Sequence, residues 1–117
     1  PLLVSQALAH SFSTPGAKLV NITARSSSIT HARDRGFGYG PSKAALNAIT
    51  KSLSIDFAPR QITVIAITPG WVNTDMGREG AIIEVEESVR GIRAVIADAT
   101  IESSGHFFEY DGSEVAW

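Results

Sequence analysis

The chain has 117 residues, of which 44 % are hydrophobic and 19 % charged, a composition that fits one folded domain and excludes a disordered or fibrous protein. Its net charge of −2 lacks the clustered positive charge that binds nucleic acid, so neither DNA nor RNA is an expected partner. It has no cysteine, and its three histidines lack ligand spacing, so we expect no metal site and a reducing, cytoplasmic location. No apolar run approaches the roughly 20 residues that span a bilayer, so no membrane partner is expected.

The first predicted elements are a helix and a strand. Pro1 to His10 has apolar residues at helical spacing, which is typical of the interior of a helix, so we expect that the given sequence begins inside a folded domain. The alternative is a genuine N-terminus with proline at the first helical position. After a turn at 13–16, Lys18 to Thr23 is predicted to be a buried strand. Residues 24–38 are polar and without a sustained period, which predicts a loop at the carboxyl end of that strand.

The same alternation continues to the end of the chain. The periodicity predicts a helix over Gly40 to Phe57, a buried strand over Gln61 to Thr68 and a loop over 70–83. A third helix is predicted from one apolar face, which is formed by Val85, Val89, Ile92, Ile96 and Ala99. A last strand is predicted over His106 to Tyr110. Strands that alternate with helices predict an α/β fold with a parallel sheet, in which ligands bind beyond the carboxyl ends of the strands.

Tyr39 and Lys43 are the residues most suggestive of chemistry. They stand four apart at the start of the middle helix, so their side chains project from nearly the same face. A nearby ammonium and the positive end of a helix both favour a phenolate, which is what a tyrosine needs to act as an acid and base near neutral pH. The alternative is a solvated lysine and a half-buried aromatic ring at a spacing that is common by chance.

Several segments in a fixed order resemble the short-chain dehydrogenase/reductase family. Residues 39–47 (YGPSKAALN) resemble its active-site helix, 19–23 the strand before the catalytic serine, and 68–76 the segment that contacts the nicotinamide. The ending, 108–117, is similar to that of carbonyl reductases of the sniffer and C-factor type. The resemblance implies that residues 1–117 are a partial NAD(P)-binding domain, the C-terminal, catalytic half of a Rossmann-type doubly wound parallel sheet.

The resemblance also implies roles for single residues. Tyr39 would exchange a proton with the oxygen of a small carbonyl or alcohol substrate while hydride moves at the adjacent carbon, and Lys43 would bind the nicotinamide ribose and lower the pKa of Tyr39. Pro69 and Gly70 would turn the chain so that the backbone of Val72 bonds the carboxamide and the hydroxyl of Thr74 reaches the cofactor. These roles define an NAD(P)-dependent oxidoreductase.

The family serine that polarises the carbonyl is ambiguous in this sequence. Its usual position thirteen residues before the tyrosine is Ser26, whereas an alignment of the strand places it at Ala24. Spacing predicts Ser26 as the catalytic serine, whereas the strand alignment favours Ala24 as its counterpart, in which case Ser26, Ser27, Thr23 or none of them replaces the family serine. The alternative is that 26–28 form only a polar loop with local hydrogen bonds.

None of the ten glycines falls in a GxGxxG pattern, so we expect the phosphate-binding half of the family fold to precede Pro1. The resemblance to carbonyl reductases favours NADP(H) over NAD(H), and the residue that selects between them would lie in that half. A homodimer through the 40–57 helix is a further expectation. The competing function is a truncated or degenerate relative that acts as a non-catalytic interaction module.

Overall fold

The computed structural model describes residues 1–32, 37–77 and 80–117. Helices and strands alternate as predicted, with bounds that differ by at most two residues. The predicted loops 24–38 and 70–83 include residues 33–36 and 78–79, which lie outside the described residues. The elements in chain order are α1 (Leu2–Leu8), β1 (Lys18–Ile22), α2 (Tyr39–Phe57), β2 (Thr63–Thr68), α3 (Val85–Asp98) and β3 (Phe107–Glu109).

The three strands form one parallel sheet in the order β1-β2-β3. Val20 pairs with Ile65, and Ala66 pairs with Phe107. All six residues of β2 are buried because this strand has a neighbour on each edge and a helix on each face. Its sequence, TVIAIT, is a continuous β-branched and apolar run of the kind that such a position requires. The carboxyl ends of the three strands therefore meet at one edge of the sheet.

Helix α2 covers one face of the sheet. Leu53 and Phe57 pack on Ile62 and Val64, and Phe12, which follows α1, meets the Phe57 ring edge-on at 5.8 Å between centroids. This packing accounts for the helical spacing of apolar residues in α2. It places the first turns of α2 at the carboxyl edge of β1.

Helix α3 covers the opposite face, where Ile92, Val95 and Ile96 pack on Ile65 and Ile67. Helices on both faces of a parallel sheet confirm the predicted doubly wound α/β class.

The apolar face of α3 is not buried over its whole length. Val85 and Val89 are 42 % and 49 % exposed, and the buried residue in these turns is Ser88. The Ser88 hydroxyl donates to the Pro69 carbonyl at 2.7 Å. The start of α3 therefore lies over the loop after β2 rather than over the sheet, so its apolar face extends past the strands.

The segment after β3 folds back onto that strand. Val115 is buried, and its N–H donates to the Phe107 carbonyl at 2.8 Å. The Trp117 ring stacks on the Phe107 ring with 5.6 Å between centroids. Ala66, Phe107 and Val115 form a third apolar cluster on the α2 side of the sheet. In the described part of the chain, no helix is long and apolar enough to cross a lipid bilayer.

Candidate active site

Tyr39 and Lys43 lie together where β1 ends. Tyr39 is the first residue of α2, and Lys43 follows one turn later. The Lys43 Nζ donates to the carbonyl of Ile22, the last residue of β1, at 3.1 Å. The same Nζ lies 5.8 Å from the centroid of the Tyr39 ring, which is within range of a cation–π attraction. Tyr39 is 48 % exposed, so its ring is open to a ligand.

The first turn of α2 packs tightly on the loop after β1. A Cβ atom on Gly40 would lie 2.9 Å from the Ser26 carbonyl oxygen, so only glycine permits this approach without a shift of the backbone. Within this turn, the Ser42 hydroxyl donates to the Tyr39 carbonyl at 2.7 Å. Ser26 is thereby placed against the turn that carries Tyr39.

The structure separates the hydroxyl groups that the sequence left as alternatives. Thr23 and Ser27 are buried and hydrogen-bonded to each other at 3.1 Å, and the Ser27 hydroxyl donates to the Ala24 carbonyl. The amide Nδ2 of Asn47 also donates to the Ser27 Oγ, at 2.7 Å. Ser27 is thus occupied on all sides by protein, whereas the Ser26 side chain is exposed. Sequence analysis gave Asn47 no role of its own, although Asn47 ends the 39–47 motif and is a polar residue on an apolar face of α2.

The segment after β2 turns sharply away from the sheet at Pro69 and Gly70. Gly70 has a φ of +78°, and a Cβ atom there would lie 2.3 Å from the Cδ1 of Ile83. The positive φ favours glycine, and a side chain there would also displace the Ile83 methyl group. The turn brings Val72 beside Ile83 in a parallel bridge.

The bridge leaves the backbone of Val72 directed elsewhere. It uses the Trp71 carbonyl and the Asn73 N–H, which bond Ile83 at 3.3 and 2.8 Å. In a strand-like segment, successive peptide groups point to opposite sides, so the N–H and C=O of Val72 face away from Ile83. The Thr74 hydroxyl donates to the Val72 carbonyl at 3.4 Å and accepts from the Gly77 N–H at 3.2 Å.

These donors fit the nicotinamide end of a dinucleotide. The Lys43 ammonium carries three donors, and the described residues engage one of them at Ile22. The Val72 N–H adds a donor, and the Thr74 hydroxyl, whose proton goes to the Val72 carbonyl, adds an acceptor lone pair; such groups could bind a carboxamide and ribose hydroxyls. The sequence offers no glycine-rich turn for the pyrophosphate. Within the ranges that the structure describes, no three His, Asp or Glu side chains gather to hold a metal ion.

An ion pair crosses the same edge of the sheet. Arg25, in the loop after β1, contacts Glu109 at the end of β3 with 2.9 Å between Nη1 and Oε1. Glu109 is buried, and this burial raises the pKa of its carboxyl group, an effect that the Arg25 guanidinium opposes.

Comparison with known proteins identifies the family. A family model described as enoyl-(acyl carrier protein) reductase matches residues 1–106. C-signal of Myxococcus xanthus is 41 % identical over 101 residues, which cover 86 % of this chain and 61 % of C-signal. The chain belongs to the short-chain dehydrogenase/reductase family, as its motifs predicted.

Solved structures agree. The carbonyl reductase Sniffer of Drosophila melanogaster superposes with a TM-score of 0.89 at 35 % identity, over 100 % of this chain and 52 % of Sniffer. An NADPH-bound carbonyl reductase from chicken fatty liver gives 0.86 at 32 % identity, over the same shares of the two chains. The chain therefore has the predicted half of the family fold and spans about half the length of these relatives.

Proposed function

We propose that the complete protein is an NADP(H)-dependent oxidoreductase that reduces a small carbonyl compound to an alcohol. The observation that carries the proposal is the placement of Tyr39 and Lys43 at the carboxyl end of β1, with the ammonium within 5.8 Å of the ring. NADPH in the similar chicken enzyme supports the choice of NADP(H) over NAD(H). The partial sheet would supply the catalytic half of the cofactor-binding domain.

The proposed reaction needs a positioned acid. A nicotinamide cofactor supplies hydride to the carbonyl carbon when it is bound, and the carbonyl oxygen becomes an alkoxide. The Tyr39 O–H bond then breaks as its proton forms the new O–H bond of the alcohol. The Lys43 ammonium stabilises the phenolate that remains on Tyr39. The exposed hydroxyl of Ser26 would donate to the same substrate oxygen and polarise it.

The cofactor contacts follow from the donors at this edge. Lys43 would bind the nicotinamide ribose with the donors that Ile22 leaves available. The Val72 N–H would bond the carboxamide oxygen, and the Thr74 hydroxyl would contact the cofactor beside it. Pro69 and Gly70 act through the backbone, because their turn directs Val72 to that side.

Replacing Tyr39 with phenylalanine tests the proposed acid. Tyr39→Phe should lower kcat for NADPH-dependent carbonyl reduction by about a hundredfold or more, because only the transferable proton is lost. Tyr110→Phe is the matched control, since the chain has two tyrosines and this change removes only a hydroxyl that bonds Glu87 on α3. Retention by Tyr39→Phe of more than about one hundredth of the activity would remove Tyr39 from its role.

Replacing Lys43 tests the cofactor contact separately. Lys43→Met should weaken NADPH binding in a fluorescence titration, because the ribose loses its charged donor. Lys51→Met is the control, since Lys51 stands on the same helix and also donates to a backbone carbonyl, that of Gly105 at 3.2 Å. Equal NADPH affinities in the two variants would leave Lys43 as a structural residue.

We also propose that two copies associate through the exposed face of α2. Ala45, Ala48, Ser52 and Ile55 lie along this face at helical spacing and are exposed. Small residues permit two helices to approach closely. Ala48→Arg should convert a dimer to a monomer in analytical ultracentrifugation, and a wild-type protein that is already monomeric would contradict the proposal.

A further inference from the structure

We propose that the segment 114–117 positions the active site by holding the loop after β1 in place. Ser26, the exposed hydroxyl of the site, lies in this loop, and Trp117 acts as the positioning residue. The inference rests on the proposed function, because it assigns a role in that reaction. Trp117 acts through the loop and has no contact with the substrate in this proposal.

Local hydrogen bonds determine the conformation of the loop, but contacts with other elements determine its position in the fold. The Ser27 and Ser28 N–H groups donate to the Ala24 and Arg25 carbonyls, at 2.9 and 3.1 Å, and close a 3₁₀ turn over Arg25–Ser27. Such short-range bonds set the local conformation only. Its position relative to Tyr39 depends on bonds to other parts of the fold.

The segment 114–117 supplies several of these bonds. The Ser28 hydroxyl donates to the Ala116 carbonyl at 2.6 Å. The Thr30 N–H and hydroxyl both donate to the Trp117 carbonyl, at 3.2 and 3.1 Å. Three donors of the loop thus bond two consecutive carbonyls of a segment more than 80 residues away in sequence.

The sheet in turn holds the segment. The Trp117 ring stacks on Phe107, which is fully buried in β3, and Val115 bonds the Phe107 carbonyl. The stacking of the indole ring on β3 therefore fixes the Trp117 backbone, to which the loop is hydrogen-bonded. Removal of that ring frees the Trp117 carbonyl from its support while it leaves the backbone acceptor in the chain.

Three further contacts place the loop between two supports. Arg25 binds Glu109 on β3 at 2.9 Å, on the same side as the segment. On the other side, the Asn47 amide donates to the Ser27 hydroxyl, and the Ser26 carbonyl packs against Gly40, where there is no side chain to block it. Ser26 thus lies between α2, which carries Tyr39, and the segment that follows β3. Loosening one support lets Ser26 move away from the turn that carries Tyr39.

Kinetics of the complete protein test this inference. Trp117→Ala should lower kcat for carbonyl reduction by about tenfold or more, because small misplacement of catalytic groups costs factors of this size. The KM for NADPH should stay within about twofold, since the cofactor contacts lie after β2 and on Lys43. Trp117→Phe should restore kcat because it keeps an aromatic ring on Phe107. Ser28→Ala, which removes the bond to the Ala116 carbonyl together with the bonds of the same hydroxyl to His31, should also lower kcat.

Phe12→Ala is the matched control for lost stability. Phe12 also packs on a buried phenylalanine, with 5.8 Å between ring centroids, but it stands at the opposite end of the sheet from the site. A fall in kcat for Trp117→Ala no larger than that for Phe12→Ala would overturn the inference. So would a failure of Trp117→Phe to restore kcat.

Amide hydrogen exchange separates this inference from the proposed function. In Trp117→Ala the amide of Thr30, which donates to the Trp117 carbonyl, should exchange faster, while the amides inside α2 keep their wild-type rates. This readout needs no turnover. If the wild-type protein reduces no carbonyl compound, the proposed function fails, and unchanged exchange at the Thr30 amide would independently overturn the role of the segment.

Discussion

Helix α3 meets the end of β3 at Gly91, and alanine at this position tests how closely the two pack. A Cβ atom on residue 91 would lie 2.3 Å from the Tyr110 carbonyl oxygen and 2.9 Å from the Cδ2 of its ring. Ordinary contacts of this kind are about 3.5 Å or longer. The helix must therefore move outward by roughly 1 Å to admit the methyl group, against backbone that cannot rotate aside.

Two opposing effects determine the change in stability. Alanine is favoured over glycine inside a helix by about 1 kcal/mol. Overpacking costs about 1–3 kcal/mol, and a backbone contact this short belongs at the upper end. The difference predicts that Gly91→Ala lowers the free energy of unfolding of the complete protein by about 2 kcal/mol.

Urea unfolding at equilibrium measures this difference. With an m-value of about 2 kcal/mol per M, the midpoint should fall by about 1 M without a change in m. Ala94→Gly, on an exposed position of the same helix, is the control for propensity and should cost about 0.5–1 kcal/mol. A rise in the midpoint for Gly91→Ala would show that helix propensity prevails and that the packing of α3 on Tyr110 is looser than the structure indicates.

Three further predictions concern the site and the chain. Ser26→Ala should reduce kcat less than Tyr39→Phe, because an alignment of the strand places Ala24 at the family serine; equal losses would favour the count from the tyrosine. Burial raises the pKa of Glu109, so its contribution to the free energy of unfolding falls as pH rises above about 4.5, and Glu109→Gln should lack this fall in urea titrations at several pH values. The charges of Arg25, Asp111 and His31 also act on the Glu109 carboxyl group. If the free energy of unfolding of Glu109→Gln changed with pH as steeply as that of the wild type, burial would not be what shifts the pKa of Glu109. Residues 1–117 expressed alone should show no cooperative unfolding, because among the described strands β1 has one neighbour. They should bind NADPH only in the millimolar range, because the sequence has no glycine-rich turn for the pyrophosphate. A sharp monomeric transition with micromolar binding would refute this prediction.

Periodicity predicted most of the fold because burial in this sheet is strong and local. The six buried residues of β2 form a continuous β-branched and apolar run, and the apolar spacing of α2 matches the cluster around Leu53 and Phe57. The exposure of the apolar face at the start of α3 has a physical reason. Val85 and Val89 continue the apolar spacing of the helix, but the strands beneath it end earlier, and nothing in the local sequence reports where a neighbouring strand ends.

The site was predicted in its parts but not in its connections. The spacing of Tyr39 and Lys43 is a local feature, and so it could be read directly. The burial of Ser27 by Asn47 joins residues 20 apart, and the contacts of Ser28 join it to Ala116 across 88 residues. Such contacts depend on how the elements pack, so the sequence left the serines equivalent where the structure separates them.

The hydrogen bond from Lys43 to the Ile22 carbonyl bears on the entropy of ligand binding. A free lysine side chain loses up to about 2 kcal/mol of rotamer entropy when it is immobilised. Here part of that loss occurs during folding, because the 3.1 Å bond to the end of β1 already restrains the chain of methylenes. A ligand that binds the ammonium meets a head group whose direction is set by a peptide of the sheet. The lysine is thus preorganised, so less of its rotamer entropy remains to be lost when a ligand binds the ammonium than for a mobile surface lysine.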